Sequence, residues 1–203
     1  MTLHRSPIYL ATRSAARLIL PAGFQVQIQG LHHLPETGPA VLIPKHQRWW
    51  DVPLLGSFIP RPLYFLAKQE LFTNFFSRFY MARVGGISID RKNPLRSLKT
   101  FRSLSPLLKG KSFLVLFPEG TYFQGTMGPG KWRLIQMILN LQHKQTLPPI
   151  PFVPVGIVYS SKTKSRKRGV EISIGSGLIE TNPLRAEAFT RELLSRVKTL
   201  SRL

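Results

Sequence analysis

Ser112-Phe113-Leu114-Val115-Leu116-Phe117, followed at once by Pro118-Glu119-Gly120-Thr121, is the stretch on which the fold turns. An unbroken apolar run bounded by turn residues reads as a buried strand, and a sheet that contains one needs cover on its faces. Outward from it, Phe24 to Gly30 alternates as a half-buried strand, and Ala40 to Pro44 is a second buried one. Further strands are expected at Leu63–Leu66, Ile87–Ile89, Phe152–Tyr159 and Val170–Ile174. Helical spacing predicts helices over Pro7–Leu20, Glu70–Val84, Asn93–Leu108, Trp132–His143 and Arg185–Leu200, and a short one within Val52–Ala67. Strands alternate with helices. The expected fold is α/β: a mixed, largely parallel central sheet flanked by helices, with a short amphipathic N-terminal helix over about 7–20. One domain spans 1–203, with no internal repeat or linker.

Charge narrows the partners. Lys+Arg is 29 against Asp+Glu 9, a net charge of +20. Such a surface seeks nucleic acid, anionic lipid or an acidic carrier protein. No segment supplies the roughly 20 consecutive apolar residues a bilayer span needs, so any membrane contact is expected to be peripheral. With no cysteine, disulfides, thiolate metal sites and a cysteine nucleophile are excluded.

Two motifs carry chemistry. His46-Gln47-Arg48-Trp49-Trp50-Asp51 follows the strand Val41–Pro44, outside whose carboxyl end an α/β protein places its site. At about 100° per residue His46 and Asp51 fall on different helix faces. The spacing therefore asks for a tight loop that folds Asp51 back onto one imidazole nitrogen and leaves the other to take a proton. Phe117-Pro118-Glu119-Gly120-Thr121 sets a carboxylate, a glycine and a hydroxyl together at a strand end. Arg91, just past Ile87–Ile89, has the planar fork that grips a phosphate. Gly125 to Trp132 nearly matches a P-loop, but Trp132 stands where the magnesium-binding hydroxyl belongs. Lys131 at a helix N-terminus still suits a phosphate. No Gly-x-Ser-x-Gly elbow occurs, and no His or carboxylate cluster has metal-ligand spacing.

In this order and spacing the motifs resemble the glycerophospholipid acyltransferase family, whose familiar members are lysophosphatidate acyltransferases. His46…Asp51, Gly85-Gly86…Arg91, Phe117–Thr121 and Val153-Pro154-Val155-Gly156 match its four blocks, within a motif-bearing region of about 40–160. The resemblance implies a glycerol-3-phosphate acyltransferase-like fold, His46 as general base and Asp51 as its orienter. It implies that Arg91, Glu119, Gly120 and Thr121 hold the acceptor and that Pro154 lies near the acyl donor. It further implies a thioester donor, acyl-CoA or acyl carrier protein, used as a substrate with no cofactor, and a lysolipid acceptor. The implied setting is phospholipid biosynthesis at the cytoplasmic face of an anionic membrane. This chain carries Lys45 and Arg48 where the family often has Asn and Ser, and Tyr122 where it often has Arg. The competing reading is a basic nucleic-acid-binding module, for which Lys162 to Arg168 is the best argument; no nucleic-acid motif accompanies it.

Overall fold

The computed structural model describes residues 6–89, 104–110, 112–162 and 167–203. Among them the strands form one seven-stranded sheet in the order β1-β7-β6-β2-β5-β3-β4. These are β1 (Phe24–Gln29), β2 (Ala40–Pro44), β3 (Leu63–Lys68), β4 (Gly86–Ile89), β5 (Phe113–Val115), β6 (Phe152–Lys162) and β7 (Arg168–Ile174). Neighbours pair in parallel except β6 and β7, which are antiparallel. The sheet is thus mixed and largely parallel, as the alternation of strands and helices predicts.

Burial on two faces explains the apolar strings. Val41, Ile43, Leu114 and Leu116 share one hydrophobic cluster with residues of α4 (Trp132–Lys144) and α5 (Ala186–Leu200). Leu42, Phe113, Val115, Val153 and Val155 share the other with Leu54 and Leu55 of α2 (Asp51–Phe58) and Leu20 of α1 (Pro7–Gly23). α5 lies so close on β6 that a Cβ at Gly156 would come within 2.4 Å of the Leu200 backbone.

Three local expectations are corrected. α1 runs on to Gly23 instead of ending at Leu20, with Pro21 inside its last turn. The aromatic stretch is not one helix. A 3-10 turn, Gln69–Phe72, precedes α3 (Phe75–Arg83), and Asn74 starts α3 with a capping box closed by Ser77. β5 is shorter than the apolar run that announces it, although Leu116 N–H still donates to Leu42 O at 3.0 Å. The helix expected over Asn93–Leu108 is described only at 104–109, which is helical.

Candidate active site

β2 delivers His46 to a loop that α2 closes. Asp51 occupies the first turn of α2, so its carboxylate turns back toward the loop it has just left. There Oδ2 accepts from His46 Nδ1 at 2.9 Å and from the N–H groups of Gln47 and Arg48 at 2.7 and 2.8 Å. Oδ1 accepts from the Tyr159 hydroxyl at 2.6 Å. A carboxylate only accepts, so the network assigns the imidazole proton to Nδ1 and leaves Nε2 as a free acceptor. The Asp51 side chain is fully buried and that of His46 is 12% exposed, so only the imidazole of this pair meets solvent.

The ring is held as well as oriented. It stacks on Phe117 with centroids 3.9 Å apart and meets Tyr122 edge-on at 4.4 Å. Burial pushes the Tyr159 phenol well above its ordinary pKa, and the charge and hydrogen bond of Asp51 add to that. Tyr159 therefore stays a donor. Tyr122 is also raised, by partial burial first and the Asp51 charge second.

His46 opens onto a cavity of about 600 Å³. Phe117, Gly120, Thr121 and Tyr122 line it beside the imidazole, and most of the remaining wall is apolar, supplied by α1, α2, β3 and α3. Its cationic lining residues among those described are Arg13 and Lys68; Lys68 is exposed at the carboxyl end of β3. Among the described residues no group of three His, Cys, Asp or Glu side chains comes together.

The structure thus brings His46, Gly120 and Thr121 to one cavity and sets Asp51 directly behind the imidazole. Glu119 does not reach the cavity wall. Its side chain is fully buried and bound to Lys45. Gly120 takes φ +74° in the turn after Glu119, a left-handed conformation that glycine adopts without strain. Pro154 is buried inside β6, paired with Ile43, and is likewise absent from the wall. Lys131 is exposed at the start of α4, outside the cavity lining. Arg91 lies outside the described residues. Sequence reasoning missed Tyr159, Lys45 and Lys68. Nothing local marks Tyr159, since it meets Asp51 across 108 positions.

The site is thus a carboxylate-oriented histidine facing a largely apolar cavity at the strand ends of an α/β sheet. The chain belongs to the acyltransferase family: the model of the family described as Acyltransferase matches residues 25–158. Over 109 residues it is 35% identical to a 1-acyl-sn-glycerol-3-phosphate acyltransferase of Pseudomonas aeruginosa, covering 53% of this chain and 42% of that protein. A Bacillus subtilis protein of the same name is 29% identical over 115 residues, covering 56% of this chain and 57% of that one. The chain therefore spans about half the length of these relatives. The crystal structure of the 1-acyl-sn-glycerophosphate (LPA) acyltransferase PlsC from Thermotoga maritima has the same fold. Its TM-score is 0.62 at 20% identity, over 93% of this chain and 77% of that one.

Proposed function

We propose that this protein moves a fatty acyl group from a thioester, acyl-CoA or acyl carrier protein, to the hydroxyl of a lysophosphatidate-like acceptor in phospholipid biosynthesis. The observation that carries the reading is the 2.9 Å bond from His46 Nδ1 to a buried Asp51, on the wall of an apolar cavity. His46 Nε2 takes the acceptor's hydroxyl proton as its oxygen attacks the thioester carbonyl. Asp51 then faces an imidazolium, and the tetrahedral intermediate collapses. The C–S bond breaks, the ester remains, and the thiolate leaves with the proton from His46. The apolar cavity suits hydrocarbon. Lys68 on its wall, with Arg91, supplies positive charge for an acceptor phosphate, while Gly120 and Thr121 border the reacting groups.

The same reading sets the enzyme on the cytoplasmic face of an anionic membrane without crossing it. Among the described residues no helix is long and apolar enough to cross a membrane. Phe75 and Phe76 of α3 and Leu18 and Ile19 of α1 are exposed, and the two helices touch through Thr12 and Tyr80. Each basic residue near an anionic surface contributes about 1 kcal/mol, so high salt should strip the protein from anionic vesicles. Equal binding to neutral vesicles would count against this placement.

The direct test supplies labelled acyl-CoA and acyl carrier protein with lysophosphatidate and other lysolipids. Wild type is expected to form phosphatidate, and folded His46→Ala to lose nearly all turnover while still binding vesicles. Near-wild-type transfer by His46→Ala would sink the proposal.

A further inference from the structure

We infer that Lys45 is a positioning residue: with Glu119 it forms a buried clamp on the backbone of His46. Its side chain and that of Glu119 are both fully buried, with Nζ 2.8 Å from Oε2. Nζ also donates to Glu119 Oε1 at 3.0 Å, to Phe123 O at 2.6 Å and to His46 O at 3.2 Å. Glu119 in turn accepts from His46 N–H at 3.1 Å and from Gly128 N–H at 2.7 Å. Phe123 N–H completes the set by donating to His46 O at 2.9 Å.

Both backbone groups of His46 are therefore held by the pair or by the loop the pair secures. That loop follows Tyr122, and Glu119 lies two residues beyond Phe117; these are the two rings that flank the imidazole. Lys45 touches none of the reacting atoms and is not on the cavity wall. It acts through His46, by fixing where the imidazole stands between Asp51 and the cavity. A buried ion pair is by itself weak evidence for stability, because well-packed apolar residues often replace one without loss. The backbone contacts to His46 are what give this pair a catalytic consequence.

The test compares wild type with Lys45→Met/Glu119→Gln, in which neither partner leaves an uncompensated charge. Steady-state kinetics give kcat and both KM values, and 15N NMR of the imidazole gives the His46 tautomer. A base displaced by about an ångström costs on the order of 100-fold. The expected result is a folded variant with kcat reduced by about that factor, both KM values within about threefold, and a mixture of His46 tautomers where wild type shows one. A folded variant with wild-type kcat and a single tautomer overturns the inference. Should that double variant not fold, the same two readings on Lys45→Gln/Glu119→Gln, which likewise leaves no buried charge and keeps a donor at position 45, decide in the same way. The kinetic arm rests on the acyl-transfer reading. The tautomer arm does not, so an inactive wild type with a Lys45-dependent tautomer would refute that reading and leave the clamp standing.

Discussion

Asp51 and Glu119 are both buried carboxylates that bond to His46, yet they hold different parts of it. Asp51 collects one imidazole N–H, two loop N–H groups and a phenol. Glu119 collects two backbone N–H groups and the Lys45 ammonium. The difference lies in where the balancing charge comes from. Glu119 is already paired with the Lys45 ammonium, whereas Asp51 meets no Lys or Arg ion pair among the described residues. Asp51 is thus the carboxylate whose charge remains available when His46 takes a proton. On the proposed function, one pair serves the chemistry and the other holds position.

Substitution at Asp51 should break that contrast most severely. In Asp51→Asn the amide can hold the wrong imidazole tautomer, and loss of such an orienter costs about 10⁴-fold in a comparable triad. We expect a loss of that order in kcat from a protein that still folds. A loss of less than about tenfold would mean that Asp51 does not orient the base.

Lys45→Met should reverse the pattern, acting first on stability. Removing one partner of a buried pair leaves an uncompensated charge and costs about 3–5 kcal/mol. For a domain of this size that lowers Tm by roughly 6–20 °C, measurable by calorimetry. Restoration of most of that loss in Lys45→Met/Glu119→Gln would identify the charge imbalance as its cause. A Tm unchanged in Lys45→Met would show that the pair carries no such imbalance.

The two carboxylates also differ in how far the sequence disclosed them. The return of Asp51 to His46 is legible because the partners are five residues apart, a spacing at which helical positions would face different ways. Glu119 stands in a motif that announces importance but not direction, and the structure turns it inward. Its partner Lys45 is 74 positions away and stands where the family often has Asn, so the pattern gives it no pairing with Glu119. Strands such as Ala40–Pro44 are legible because burial on two faces leaves an unbroken apolar string. The environment of α3 is not, because Phe75, Phe76 and Phe79 have the composition of a core yet lie exposed. The amphipathic pattern of α1 does not show where its arginines go: Arg13 and Arg17 bond to carbonyls at the end of α2.

Tyr159→Phe should sharpen the account of Asp51. The phenol donates to a charged acceptor, a bond worth about 1.5–3 kcal/mol. Only part of this should reach kcat, giving a fall of roughly tenfold, because three donors to Asp51 remain. The pH dependence has a definite sign. The folded pKa of Tyr159 is raised, so its contribution is fully present below the unfolded value of about 10 and is lost as pH climbs above it. Stability of the wild type should therefore fall more steeply with pH in that alkaline range than stability of Tyr159→Phe. Parallel stability curves would show that the phenol is not held protonated by its burial and by Asp51.

The smallest effect should come from the far end of α2. Arg17 Nε donates to Ser57 O at 2.7 Å, and Arg13 Nη2 donates to Ile59 O at 2.5 Å. Carbonyls at a helix C-terminus lack intrahelical partners, and a cation there also complements the helix dipole. Arg17→Ala should therefore cost about 1 kcal/mol and roughly 2–4 °C in Tm. Turnover should stay within about twofold of wild type, because Asp51 is held by the loop N–H groups and Tyr159 at the opposite end. Leu54 and Leu55, both fully buried in the cluster under the sheet, still hold the helix in the core when that one bond is lost. A drop in kcat as large as that of Tyr159→Phe would mean that α2 moves as a rigid rod and that α1 sets the position of the orienting carboxylate. The contrast between a site for chemistry and a scaffold for position would then have to be drawn along α2 instead of across His46.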